Sequence, residues 1–61
     1  MPEVVIFAVE GRTPEQKKAL MTDITAAVVK NFSVPEANVT VQIVEAPKIN
    51  KMKAGILFSE R

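Results

Sequence analysis

Residues 4–9 are six consecutive apolar positions, V-V-I-F-A-V, β-branched or aromatic apart from Ala8, with none of the polar alternation of a half-exposed strand. Such a run, opened by Glu3, predicts a strand covered on both faces. Glu10-Gly11-Arg12 ends it, and Thr13-Pro14-Glu15-Gln16 carries the marks of a helix start: Thr13 as N-cap, Pro14 at the first helical position and Gln16 to complete a capping box. Beyond it, Leu20, Ile24, Ala27, Val28 and Phe32, at spacings of 4, 3, 1 and 4, trace an apolar stripe of helical period. Lys17, Lys18, Asp23 and Lys30 fall mainly off that stripe, on the exposed side. The pattern predicts a helix over 14–31 that stops before Pro35, because the residue preceding a proline avoids helical dihedrals. Pro35 to Asn38 reads as a turn, and Val39 to Val44 as a second strand with Val39, Val41 and Ile43 on one face and Thr40, Gln42 and Val44 on the other. Strand, helix and strand of these lengths make a right-handed βαβ unit with parallel strands. Residues 45–61, punctuated by Pro47 and Gly55 and ending in Ile56-Leu57-Phe58, read as a loop or hairpin followed by a short strand. The fold class is therefore α+β in one domain, 1–61.

Size changes this picture. A domain of 61 residues hides only about 60% of the surface of its unfolded chain and often needs a disulfide, a metal or a partner. There is no cysteine and no histidine, which removes disulfides, ordinary zinc sites and Cys–His or Ser–His nucleophiles. Oligomerisation remains as the stabilising route. A single helix covers one face of a two-stranded sheet, so the other face must find its cover in further copies.

The net charge of +1 and three scattered phenylalanines argue against nucleic acid, which calls for a strongly basic surface and stacking platforms. No apolar stretch approaches a membrane span and the start lacks the pattern of a signal peptide, so the expectation is a cytoplasmic protein without a membrane partner. Charge is nevertheless uneven: residues 46–61 hold four cations and one anion. A solvated surface accounts for such a segment as well as an anion site does.

Two residues carry candidate chemistry. Pro2 can be read as a tolerated strand opener. If Met1 is trimmed, it is instead a free secondary amine beside an apolar strand. Desolvation, and a nearby arginine, would lower that amine from the α-amino range of about 8 toward values suited to a general base or a nucleophile. Arg12 is the cation to consider, placed where the free N–H groups and dipole of the helix start also favour an anion. Its guanidinium fork suits a carboxylate, although a surface arginine in a turn is the plainer reading. Glu10 and Glu45 end their strands as solvated carboxylates or as supports for an arginine.

The stretch P-E-V-V-I-F-A-V-E-G-R-T-P-E-Q-K-K-A-L, followed by V-T-V-Q-I-V-E and A-G-I-L-F-S-E, resembles the 4-oxalocrotonate tautomerase family over nearly the whole chain. The resemblance implies a β-α-β subunit assembled as a homohexamer, a trimer of dimers. Pro2 would be the base for enol–keto tautomerisation of a small 2-oxo acid, Arg12 would bind its carboxylate, and no metal or organic cofactor would take part.

Two positions depart from that family. The second strand usually supplies an arginine where Thr40 stands, and the loop after it an aromatic residue roughly at Lys51. Loss of a carbonyl-polarising arginine removes about 3 kcal/mol of enolate stabilisation. Lys51 or Lys53 offers a replacement charge, which would also depress the Pro2 amine by like-charge repulsion; the plainer reading is a solvated basic loop. The alternatives are a subunit that is catalytically incomplete without a second chain supplying the arginine, and a non-catalytic oligomeric scaffold or binding protein.

Overall fold

The computed structural model describes residues 2–61. Met1, whose removal the amine reading of Pro2 requires, lies outside them. Strand β1 spans Glu3–Val9, helix α1 Pro14–Phe32 and strand β2 Thr40–Ala46. A hairpin of β3 (Met52–Lys53) and β4 (Ile56–Leu57) follows. Strands β1 and β2 are parallel, in a register that runs from Glu3 opposite Thr40 to Val9 opposite Ala46. This is the α+β arrangement expected from the sequence, a βαβ unit with a short C-terminal hairpin.

Helix α1 begins where the sequence places it. Thr13 Oγ1 accepts from the Gln16 N–H at 3.1 Å and Gln16 Oε1 accepts from the Thr13 N–H at 2.9 Å, closing the capping box. It ends at Ser33, which adopts a left-handed conformation (φ 56°) and returns its N–H to the Val29 carbonyl.

The helix face turned to the sheet differs from the expected stripe. Half-buried positions are Lys17, Met21, Ile24, Thr25, Val28 and Val29, while Leu20 and Phe32 are 44% and 67% exposed. The helix is rotated so that Met21 and Thr25 take the places of Leu20 and Ala27. Lys17 comes with them and bonds Glu45 at 2.9 Å, with both side chains about 30% exposed (30% and 28%). A partly solvated pair of this kind contributes about 0.2–1 kcal/mol. Its local effect is to tie the helix start to the end of β2. Lys17 is thus not on the free helix face, and Glu45 holds a lysine rather than an arginine.

Strand β2 also sits later than expected. Val39 caps the preceding 3-10 turn, Glu36–Asn38, its N–H bonded to the Glu36 carbonyl at 3.1 Å. At the other end Glu45 and Ala46 continue the ladder opposite Ala8 and Val9. Of the apolar run at the end of the chain only Ile56 and Leu57 are strand; Phe58 opens a 3-10 turn over Phe58–Glu60.

On the sheet, Val4, Ile6, Ala8, Val41 and Ile43 lie under the helix, and Val5, Phe7, Thr40, Gln42 and Val44 point away from it. Phe7 is 74% exposed. Among the described residues none is fully buried. The surface of 4731 Å² exceeds the roughly 3,900 Å² typical of a folded monomer of this size. The radius of gyration, 14.5 Å, likewise exceeds the roughly 10.5 Å of a compact domain. A lone chain therefore leaves much of its apolar surface in water.

Candidate active site

Pro2 stands at the head of β1. Its carbonyl accepts the Thr40 N–H at 3.1 Å, so the ladder holds the residue through its oxygen and asks nothing of its nitrogen. Pro2 is half-buried, and the side chains nearest in register, Glu3 and Thr40, are exposed on the helix-free side. Thr40, where an arginine was expected by resemblance, thus lies directly beside Pro2 and brings no charge.

Arg12 stands beyond the other end of the same strand. Seven residues at about 3.3 Å each put it roughly 20 Å or more from Pro2 within one chain. The turn that carries it depends on Gly11, whose φ of +129° lies outside the range that side chains with a Cβ adopt readily. Arg12 is exposed and has no hydrogen-bond or ion-pair partner among the described residues.

The helix start beside it has fewer free donors than the sequence reading supposes. Pro14 has no N–H, that of Gln16 goes to the Thr13 hydroxyl, and that of Lys17 goes to the Thr13 carbonyl at 3.1 Å. Only the Glu15 N–H of the first turn lies outside the cap. The helix can still help an anion there through its dipole.

A cleft of about 190 Å³ opens at this end between helix and sheet, with Ile6, Val9, Leu20 and Ile43 in its apolar wall and Arg12, Lys17 and Glu45 as its charged members. Lys17 and Glu45 neutralise each other. The uncompensated charge of the cleft is therefore that of Arg12, and the cleft favours a small anion with an apolar body.

Lys51 lies on the same side of the molecule as Arg12. The loop leaving β2 is tied back to Glu10, whose Oε1 accepts the Lys48 N–H at a long 3.4 Å, and the 3-10 turn Lys48–Asn50 then leads into the hairpin. Lys51 is half-buried and its Nζ lies 5.7 Å from the centre of the Phe58 ring. Lys53 is exposed on β3. One chain therefore brings Arg12, Lys51 and Lys53 to the finishing end of the sheet and leaves Pro2 alone at the starting end.

Phe58 and Arg61 escape a reading of the sequence. They reach Lys51 only because the hairpin folds back at Ala54-Gly55, two residues with positive φ (54° and 79°) in a two-residue loop between paired Lys53 and Ile56. That is the pattern of a type I′ turn. The Ala-Gly dipeptide was its one local sign, and a weak one, since alanine is a poor occupant of a left-handed position.

No helix among the described residues is long and apolar enough to cross a membrane, and none of their carboxylates cluster in a way that would hold a metal ion.

Known proteins match this architecture end to end. The family model described as tautomerase enzyme matches residues 2–61. A "Probable tautomerase" of Bradyrhizobium diazoefficiens is 52% identical over 61 residues, covering 100% of this chain and 91% of the relative. The 2-hydroxymuconate tautomerase of Comamonas testosteroni is 43% identical over 60 residues, covering 98% of this chain and 95% of its own. A solved heterohexamer 4-oxalocrotonate tautomerase from Chloroflexus aurantiacus superposes with a TM-score of 0.89 at 37% identity, over 98% of this chain and 97% of that one. The chain belongs to the tautomerase family, and with it to the isomerase class of enzymes.

Proposed function

We propose that the protein interconverts enol and keto forms of a small 2-oxo acid, with the nitrogen of Pro2 as the base once Met1 is gone. The observation that carries this reading is the anchoring of Pro2 by the Thr40 N–H. It fixes the residue at the sheet's end, half-buried, while leaving the ring nitrogen free of the ladder. Beside this apolar strand, and covered by another copy, a free amine would lose hydration of its protonated form, which favours the neutral base.

The chemistry balances without a co-reactant. The Pro2 lone pair takes the enol hydroxyl proton, the C–O bond becomes a carbonyl as the C=C electrons move to the terminal carbon, and that carbon takes a proton from the prolinium. Substrate and product are isomers, and the amine is regenerated.

The carboxylate contact falls to Arg12, but of another copy. Two chains related by a two-fold axis and joined along either free edge of the sheet run antiparallel, so that the start of one strand meets the end of its partner. This apposition brings one copy's Pro2 toward the other's Arg12 and hairpin. It also fits the uncovered face of Val5, Phe7 and Val44, which the homohexamer reading covers by packing dimers together. The absence of charge at Thr40 supports a second reading, in which a different chain supplies the missing arginine; a single polypeptide species in the native assembly would exclude it.

The test is ketonisation of phenylenolpyruvate by protein whose mass shows Met1 removed, compared with Pro2→Ala. Loss of a general base lowers turnover by about 10²–10⁴-fold. Equal rates in the two proteins would end the role given to Pro2.

A further inference from the structure

The hairpin brings together three side chains that the sequence separates. The Phe58 N–H donates to the Lys51 carbonyl at 2.9 Å, one step beyond the Met52–Leu57 pair. Residues 51 and 58 are therefore opposite one another, where antiparallel side chains share a face. Arg61 folds back over the same ring: its Nη2 donates to the Lys53 carbonyl at 2.8 Å and its Cζ lies 5.1 Å from the ring centre. One aromatic ring thus carries two cations, Lys51 and Arg61.

Neither cation has a carboxylate partner. Among the described residues the only ion pair is Lys17–Glu45, which involves neither of them. Two like charges on one ring repel, and the negative ring face offsets that repulsion only in part. An anion held by both would remove it. The guanidinium has five donors in a planar fork, and the Lys53 carbonyl takes one. The fork is therefore held in place with donors to spare, beside an apolar surface.

We propose that Lys51, Phe58 and Arg61 form a clasp, distinct from the Arg12 contact, for a small acid whose planar, apolar body lies against Phe58 while Arg61 and Lys51 take a carboxylate that Arg12 does not hold. In this arrangement Phe58 supplies the aromatic surface that Lys51 displaces, and Arg61 supplies a fork in place of the arginine missing at Thr40. The inference rests on the tautomerase reading for its place in the reaction, through the apposition of this end with another copy's Pro2. Binding itself does not depend on that reading.

The experiment is a titration of the assembled protein with benzoate, a planar monocarboxylate that cannot enolise, at low salt, followed by NMR of the Phe58 ring and the Arg61 Nε–H. Both signals should shift on binding. R61Q should weaken binding at least tenfold, R61K should recover part of the loss, and F58L should weaken it several-fold with every charge kept. Unchanged affinity in R61Q, or shifts confined to Arg12 and the cleft, would overturn the clasp. Pro2→Ala separates the two ideas. Benzoate bound as in wild type with turnover lost upholds both, whereas full turnover in Pro2→Ala, with binding still lost in R61Q, removes the proline base and leaves the clasp standing.

Discussion

The two ends of the β1–β2 sheet are built differently. The starting end holds Pro2, anchored by its carbonyl, beside Glu3 and Thr40; it has a candidate base and no cation to steady an acid. The finishing end holds Arg12, the apolar cleft and the hairpin with Lys51, Phe58 and Arg61; it has the cations and no base. In the proposed function each end is half of a site. A parallel sheet cannot fold its own ends together, but a two-fold partner can, because antiparallel apposition sets unlike ends side by side. In that reading the partner joined at the sheet edge completes the site, and further copies cover the apolar face.

The largest expected effect comes from denying the assembly. Phe7, 74% exposed in the single chain, lies in the middle of the helix-free face, and burying a carboxylate there without a counter-charge is costly. Phe7→Asp should give small, largely unassembled species in sedimentation and no measurable turnover. An assembled Phe7→Asp protein of normal activity would show that the open face is not where copies meet.

Arg12→Ala comes next. It removes a charged hydrogen-bonding partner worth about 1.5–3 kcal/mol, so kcat/KM should fall roughly 10- to 100-fold, mostly through KM. Lys17→Ala, whose charge Glu45 already neutralises, should change KM far less. Equal losses in the two variants would mean that the cleft attracts its acid by general charge rather than by the arginine fork.

The smallest effect sharpens the comparison by loosening one end alone. Thr13→Ala removes the hydroxyl half of the capping box, the bond from the Gln16 N–H to Thr13 Oγ1, at a cost of about 1 kcal/mol. Hydrogen exchange should rise in the first turn of α1, beside Arg12, and stay unchanged at the Thr40 N–H beside Pro2. Equal loosening at both places would indicate that the sheet ends are not independent.

What the sequence made legible follows from how local each signal is. The capping box at Thr13 and Gln16, the parallel pairing and the strand apolar on both faces are written in adjacent residues. The rotation of α1 was not, because Leu20 and Met21, or Ala27 and Thr25, serve almost equally well as packing residues, and the Lys17–Glu45 pair that accompanies it joins residues 28 apart. The extension of β2 to Ala46 was hidden by the charge of Glu45, which reads as a strand end. For the candidate site, Pro2 and Arg12 were visible as types and spacing and were named by the family resemblance, whereas Lys51 stood out as a departure from it. Their placement at opposite ends was implicit in strand length, since seven extended residues cannot close on themselves. The meeting of Phe58 and Arg61 with Lys51 depends on a turn with alanine at a left-handed position, a conformation that residue does not advertise.

Complementation between two damaged copies tests the divided site most directly. Pro2→Ala and Arg12→Ala subunits, differently tagged and co-expressed so that mixed assemblies can be isolated, each carry one intact half. With random mixing, about a quarter of the sites in a 1:1 assembly receive both intact halves, and activity should return to about that fraction of wild type although each variant alone is poor. Mixed assemblies no more active than the better single variant would contradict a site shared between copies and place Pro2 and Arg12 in separate roles.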